Sequence, residues 1–199
     1  MSIDIKTIEA YNAQAQAYDE ETVGFWEKFP RTFLDQFISL SGEKVLDVGS
    51  GPGRDGLLLQ QTGKKVVCMD AASAMVHLSR ERGLDSVQAS FEALPFSDGS
   101  FDAVWSYTAL LHIPKSQFDE ALREIHRVLT PGGFFALGLI EGDDEQYKES
   151  KKVSMPRLFS YYQKQDIEEK VKARGFEFVY FETFTPSTKN YLNFIFKKK

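Results

Sequence analysis

The residues whose types and spacing could do chemistry begin with Gly49, Ser50, Gly51, Pro52 and Gly53. Lacking a Cβ, the three glycines let the backbone turn sharply and let a ligand lie against it. The apolar run Lys44–Val48 leads into this loop, and a helix-compatible run over Leu57–Gln61 leads away. The loop therefore joins a strand to a helix, whose free amides and positive dipole end point back at it. Asp70 follows, and a carboxylate about 20 residues past such a loop suits ribose hydroxyls. Its competing use is at the start of a helix near Ser73. Gly51, Gly53 and Gly56 also satisfy the G-x-G-x-x-G dinucleotide spacing, which keeps a nicotinamide-dependent oxidoreductase open. Two features oppose it: Pro52 removes a loop N–H donor, and a long helical stretch precedes the loop where a dinucleotide fold would begin.

The other candidates are scattered. His112 follows a strand and is the candidate general base, with Glu141 and the tyrosines behind it; a hydrogen-bonded structural histidine is the competing reading. Asp47 sits within a strand end, where it orients the loop. Arg54 pairs with Asp55 or a neighbouring carboxylate, or meets a ligand. His77 and His126 fall on expected helices. Cys68 lies in an apolar run and reads as a small core residue.

These residues need elements to position them. Apolar spacing of three and four predicts helices over 3–21 and, entered through Pro30, over 25–40. Strands are expected at 44–48, 65–69, 86–89, 101–107 and 134–140, with helices at 54–62, 74–82 (capped by Ser73) and 117–129 between them. Residues 91–94 form a brief element and Thr130-Pro131-Gly132-Gly133 a tight turn. Residues 141–156 read as polar and irregular, followed by a helix over 166–174 and strands over 176–184 and 191–198. Alternation of strand and helix implies parallel strands joined by crossover helices. The expected fold is α/β: a seven-stranded mixed sheet, mostly parallel with an antiparallel C-terminal hairpin, helices on both faces, and N-terminal lid helices. It reads as a single domain, 1–199: lid helices 1–41, a ligand-binding half 42–141, and 142–199 an insertion with the last helix and hairpin.

Composition bounds the partners. At 199 residues, with 42% hydrophobic and 27% charged residues, the chain can build a substantial core. A net charge of -5 gives nucleic acid no general footprint. No long apolar run predicts a membrane span, and no metal-ligand spacing stands out. A single cysteine and no apolar leader fit a cytoplasmic setting.

Several motifs, in order, carry a resemblance. Val45-Leu-Asp47-Val-Gly49-Ser-Gly51-Pro-Gly53 resembles the first motif of class I S-adenosylmethionine-dependent methyltransferases. Glu92-Ala-Leu94-Pro95-Phe96-Ser-Asp98-Gly-Ser100-Phe101-Asp102 is similar to that family's segment from the adenine side of the pocket into the fourth strand. Leu111-His112-Ile113 and Leu129-Thr-Pro131-Gly132-Gly133 resemble its later landmarks. The resemblance spans residues 7–196.

It implies methyl transfer from S-adenosylmethionine, giving S-adenosylhomocysteine, to a small-molecule acceptor. The implied donor contacts are Asp47, Gly49, Ser50, Gly51, Gly53, Asp70, Ala71, Ser90, Phe91, Glu92, Leu94 and Tyr107. Ser90 departs from the acidic residue the family commonly carries there; it still accepts a hydrogen bond without charge. The implied acceptor region holds Tyr11, Tyr18, Trp26, Arg157, Phe159 and Tyr161, for which packing beneath a long loop is the alternative. Arg157 suits an anionic acceptor, and a salt bridge to Glu141 or Asp143 would explain it equally. The protein is expected to act as a monomer or homodimer. A non-catalytic binder of the same cofactor is the remaining alternative.

Overall fold

Phe101–Tyr107 alternates sides: Val104 packs with the core on one face of a sheet, Ala103 and Trp105 with the core on the other. That is the period of a strand buried on both faces. The computed structural model describes residues 4–150 and 153–199; residue 3 of the first expected helix and 151–152 of the polar stretch lie outside them. The chain opens with α1 (Ile5–Ala13), α2 (Ala15–Thr22), α3 (Phe25–Lys28) and α4 (Thr32–Leu40). Then β1 (Lys44–Val48), α5 (Arg54–Gln61), β2 (Lys65–Asp70), α6 (Ser73–Glu81), β3 (Asp85–Gln88) and β4 (Phe101–Tyr107) follow. A 3₁₀ turn over Leu110–His112 leads to α7 (Phe118–Val128) and β5 (Leu129–Ile140). Next come β6 (Glu145–Lys148), β7 (Arg157–Ser160), α8 (Lys164–Ala173), β8 (Phe176–Phe184) and β9 (Tyr191–Lys198).

The main sheet has seven strands in the order β3-β2-β1-β4-β5-β9-β8. Neighbours from β3 to β5 are parallel, and β9 runs antiparallel to both β5 and β8. α7 and α8 cover one face through Phe118, Leu122, Ile125, Ile167 and Val171. α4 and α5 cover the other through Phe33, Leu34, Phe37 and Leu59. α1 and α2 pack with α6 through Ala15, Ala72 and Met75.

The structure corrects several expected boundaries. The first helix breaks at Gln14, whose N–H bonds Ala10 while its backbone leaves the helical region. The second breaks ahead of Pro30, where Phe29 is extended, as a residue before proline must be. Ser73 caps nothing with its side chain; Asn12 of α1 accepts from the Ala74 N–H at 3.0 Å instead. Residues 130–133 are absorbed into β5 as an irregularity in its pairing with β4. The polar stretch contains β6, an exposed strand without alternation that forms only because it pairs with the buried β7.

Candidate ligand site at the strand ends

The loop after β1 hangs from β2. Gly49 and Ser50 both donate their N–H to the Met69 carbonyl, at 2.8 and 2.9 Å. Gly49, Gly51 and Gly53 all have positive φ. A Cβ on Gly49 would meet the Ala109 Cβ at 2.3 Å, so only glycine lets the loop pass beneath that residue. A Cβ on Gly51 would lie in ordinary van der Waals contact with the Tyr18 ring, at 3.6 Å. Both residues line a cavity of about 620 Å³, within the range of small-molecule sites.

Asp70 closes one side of this cavity. Its Oδ2 accepts from the Gly51 N–H at 2.9 Å and its Oδ1 from the Ala72 N–H at 2.8 Å. It thus braces the glycine loop and the entry to α6 together. Each oxygen keeps a further lone pair for a hydroxyl donor. Burial pushes its carboxyl up to about 6, against stabilising backbone bonds from Ala72, Gly51 and Ala71. Asp47 also lines the cavity, and burial holds its carboxyl well above the usual range, with Asp55 and Asp70 adding repulsion. Ser50, Ala71, Ser90, Phe91, Glu92 and Tyr107 line it too. Gly138 lets the Tyr107 ring pass, since a Cβ there would lie 2.4 Å from it. The buried Tyr107 hydroxyl finds no hydrogen-bond partner among the described residues.

Three expected site residues do not line the cavity. Gly53 faces Ser79 and Leu84, where α5 packs on α6 and β3. Leu94 is buried in the core, its N–H bonded to Glu124. Tyr161 lies behind Phe159, against Gly142 and beneath the Lys148 ammonium.

The lid is fastened by polar side chains; sequence reading named Arg54, Asp55 and Trp26 among them, but not Asp19, Arg82 or Thr7, nor the pairing. Asp19 of α2 receives Arg54 of α5 at 2.8 Å and Arg82, just beyond α6, at 2.6 Å. So Arg54 pairs with Asp19 rather than Asp55. Asp55 instead accepts from two indoles, Trp26 of α3 at 2.6 Å and Trp105 of β4 at 2.9 Å. Thr7 of α1 accepts from the Leu158 N–H of β7 at 2.8 Å. The one sequence signal for these ties was an Asp, a Trp or an Asn among helical residues; nothing in the spacing named their partners.

Opposite the loop, β7 and α1 build the remaining wall. His112 Nδ1 lies 2.6 Å from the Leu158 carbonyl, which can only accept. The proton therefore sits on Nδ1, and Nε2 accepts from the Tyr11 hydroxyl at 2.8 Å. Burial lowers the imidazole to about 4, so the ring is neutral at pH 7. Burial raises the Tyr11 phenol to about 12, against the lowering effect of Arg157. Arg157 Nη1 donates to Tyr11 Oη at 3.3 Å. Phe159 and Lys189 complete this wall, and Tyr18, edge-on to Tyr11, reaches across to the glycine loop at Gly51. His77 and His126 lie on α6 and α7 away from the cavity, and the fully buried Cys68 thiol is pushed up by burial.

The described residues contain no cluster able to hold a metal ion, and no helix among them is long and apolar enough to cross a membrane. The cavity offers a carboxylate with spare lone pairs and aromatic walls, while the Gly49, Ser50 and Gly51 amides are already spent on Met69 and Asp70. Residues 46–137 match a family model described as a methyltransferase domain. An uncharacterized methyltransferase of Synechocystis is 36% identical over 117 residues, which is 58% of this chain and 55% of that protein. A malonyl-(acyl-carrier protein) O-methyltransferase of Pseudescherichia vulneris is 32% identical over 133 residues, 64% of this chain and 50% of that one. The chain thus spans about half the length of these curated relatives. A 1,6-didemethyltoxoflavin-N1-methyltransferase of Burkholderia thailandensis, solved with 1,6-didemethyltoxoflavin and S-adenosylhomocysteine, shares the fold. Its TM-score is 0.76 at 20% identity, covering 100% of this chain and 92% of that one.

Proposed function

We infer the activity from the premise that this chain belongs to the class I S-adenosylmethionine-dependent methyltransferases: it transfers a methyl group from S-adenosylmethionine to a small-molecule acceptor. The observation that carries this reading is the single cavity lined on one side by Gly49, Gly51 and Asp70 and on the other by Tyr11, His112 and Arg157. A donor and an acceptor could meet there out of bulk water. The small-molecule methyltransferase among the structural neighbours supports a small acceptor by analogy.

The residues fit the donor. Backbone groups of Gly49, Ser50 and Gly51 would hold its methionine end, where no phosphate has to be cradled. Asp70 would accept from the ribose hydroxyls with the lone pairs left over from Gly51 and Ala72. Ser90, Phe91 and Glu92 would flank the adenine. When bound, the sulfonium supplies an already activated methyl, so the protein's work is proximity and in-line alignment.

His112 acts as a positioning residue. Its neutral Nε2 fixes the Tyr11 hydroxyl proton and leaves a Tyr11 oxygen lone pair facing the cavity. Tyr11, Tyr18 and Phe159 supply ring faces, which attract a cation. The domain reads as one unit, 1–199, acting in the cytoplasm.

The test is product formation. S-adenosylhomocysteine accumulates when the protein is incubated with S-adenosylmethionine and a panel of small oxygen, nitrogen, sulfur and carbon acceptors, and Asp70→Ala reduces it. Binding of S-adenosylhomocysteine with no turnover on any acceptor would make the protein a binder instead. Binding of NAD(H) alone would overturn the donor assignment.

A further inference from the structure

Among the described residues, Arg157 is a cation without an ion-pair partner. Its residue is only 5% exposed. Glu141, one expected partner, accepts from Asn190 at 2.8 Å. Asp143, the other, accepts from Gln163 at 3.0 Å. Among the described residues no carboxylate lies within 4.0 Å of the guanidinium. Its one hydrogen bond to them runs from Nη1 to Tyr11 Oη, and the buried Nε has none. The guanidinium instead sits over two rings, 5.3 Å from the Tyr11 centroid and 5.6 Å from that of Phe159.

A guanidinium does not lose its charge in a protein, so burying it without an anion is unfavourable unless one arrives. It lines the cavity, and a second cation stands close by. Lys189 lies 5.6 Å over the other partner ring, Phe159. Its ammonium is lowered by burial and then by Lys148 and Arg157, with Glu21 opposing. Asp4 and Glu21 also line the cavity as anionic carboxylates, accepting from the Tyr147 and Ser150 hydroxyls at 2.7 and 3.2 Å, but neither forms an ion pair with the guanidinium. Arg157 therefore presents positive charge framed by aromatic rings, with no carboxylate among the described residues in contact with it.

We propose that the methyl acceptor carries an oxyanionic group, a carboxylate or a phosphonate-type anion, that binds Arg157 with support from Lys189. This rests on the methyl-transfer reading of the same cavity and narrows its substrate class. The anionic end docks at Arg157, and Tyr11 and Phe159 flank the adjoining part of the molecule.

Thermal unfolding in saturating S-adenosylhomocysteine, at constant ionic strength, tests this. The probes are benzoate, phenylphosphonate and neutral benzamide. Benzoate or phenylphosphonate raises the wild-type Tm by about 2 °C, as mass action requires of a ligand well above its Kd. Benzamide does not, and which anion gives the larger shift tells carboxylate from phosphonate. The shift disappears in Arg157→Gln; should that variant not fold, Lys189→Gln reduces it instead. The proposal is overturned if neither anion shifts the wild type, or if Arg157→Gln keeps the shift. It is also overturned if Arg157→Gln weakens S-adenosylhomocysteine as much as it weakens the anions, since Arg157 would then hold the donor's own carboxylate. Failure of S-adenosylhomocysteine alone to raise the wild-type Tm would instead strike the methyl-transfer reading.

Discussion

The two walls of the cavity are built differently. The wall from β1, β2 and the glycine loop is fixed by backbone: Gly49 and Ser50 hang from the Met69 carbonyl, and Gly51 and Ala72 donate to Asp70. The wall from α1, α2, α3 and β7 is fixed by long side chains: Asp19 with Arg54 and Arg82, Asp55 with Trp26 and Trp105, Tyr11 with His112 and Arg157. Backbone geometry suits a ligand that never changes, the donor. Side-chain fasteners suit a wall that must open to admit a ligand and whose specificity is set residue by residue.

That contrast can be broken at several points. The largest effect is expected on the backbone wall. Gly49→Ala forces a Cβ into Ala109 at positive φ, which should cost about 2–4 kcal/mol of stability in urea unfolding and abolish donor binding. Asp19→Ala leaves two arginines without their anion. Hydrogen exchange should show α1 and α2 opening more easily by about 1.5–3 kcal/mol while the sheet amides keep their protection. Equal loosening of the sheet would deny the lid its separate character.

Asp70→Asn should weaken S-adenosylhomocysteine by about 1–3 kcal/mol. The sign of the pH effect follows from its raised carboxyl. On the proposed role, ribose hydroxyls would donate to the ionised form, so wild-type affinity should be flat well above pH 6 and fall as pH drops through about 6, by up to about tenfold per unit. Asp70→Asn should lose that slope. The smallest effect belongs to Tyr11→Phe, which removes one hydroxyl from the side-chain wall. Turnover should fall by about 0.5–1.5 kcal/mol in barrier terms with donor affinity unchanged. Ring nitrogen shifts should show His112 neutral down to about pH 4 in the wild type.

The two walls were also unequally legible in the sequence. β1, β4, β8 and β9 could be bounded from residue types alone, because apolar strands between glycines are local signals. The loop and Asp70 carry their meaning within a short stretch, and so does the antiparallel C-terminal pair. The lid does not. Thr7 meets Leu158 and Tyr11 meets His112 across more than a hundred residues, and no local period encodes such pairs. β6 was hidden for the same reason: its residues are polar and exposed, and only its partner makes it a strand. The resemblance implies Leu94 and Tyr161 at the cavity, but their burial goes to the core and to Gly142 instead.

Calorimetric titration of S-adenosylhomocysteine into Asp70→Asn and Arg157→Gln tests the division between the walls most directly. The expected result is a loss of about tenfold or more in affinity for Asp70→Asn, against a change of less than about twofold for Arg157→Gln, as for sites that do not share a ligand. Equal losses in both, or a loss confined to Arg157→Gln, would contradict it.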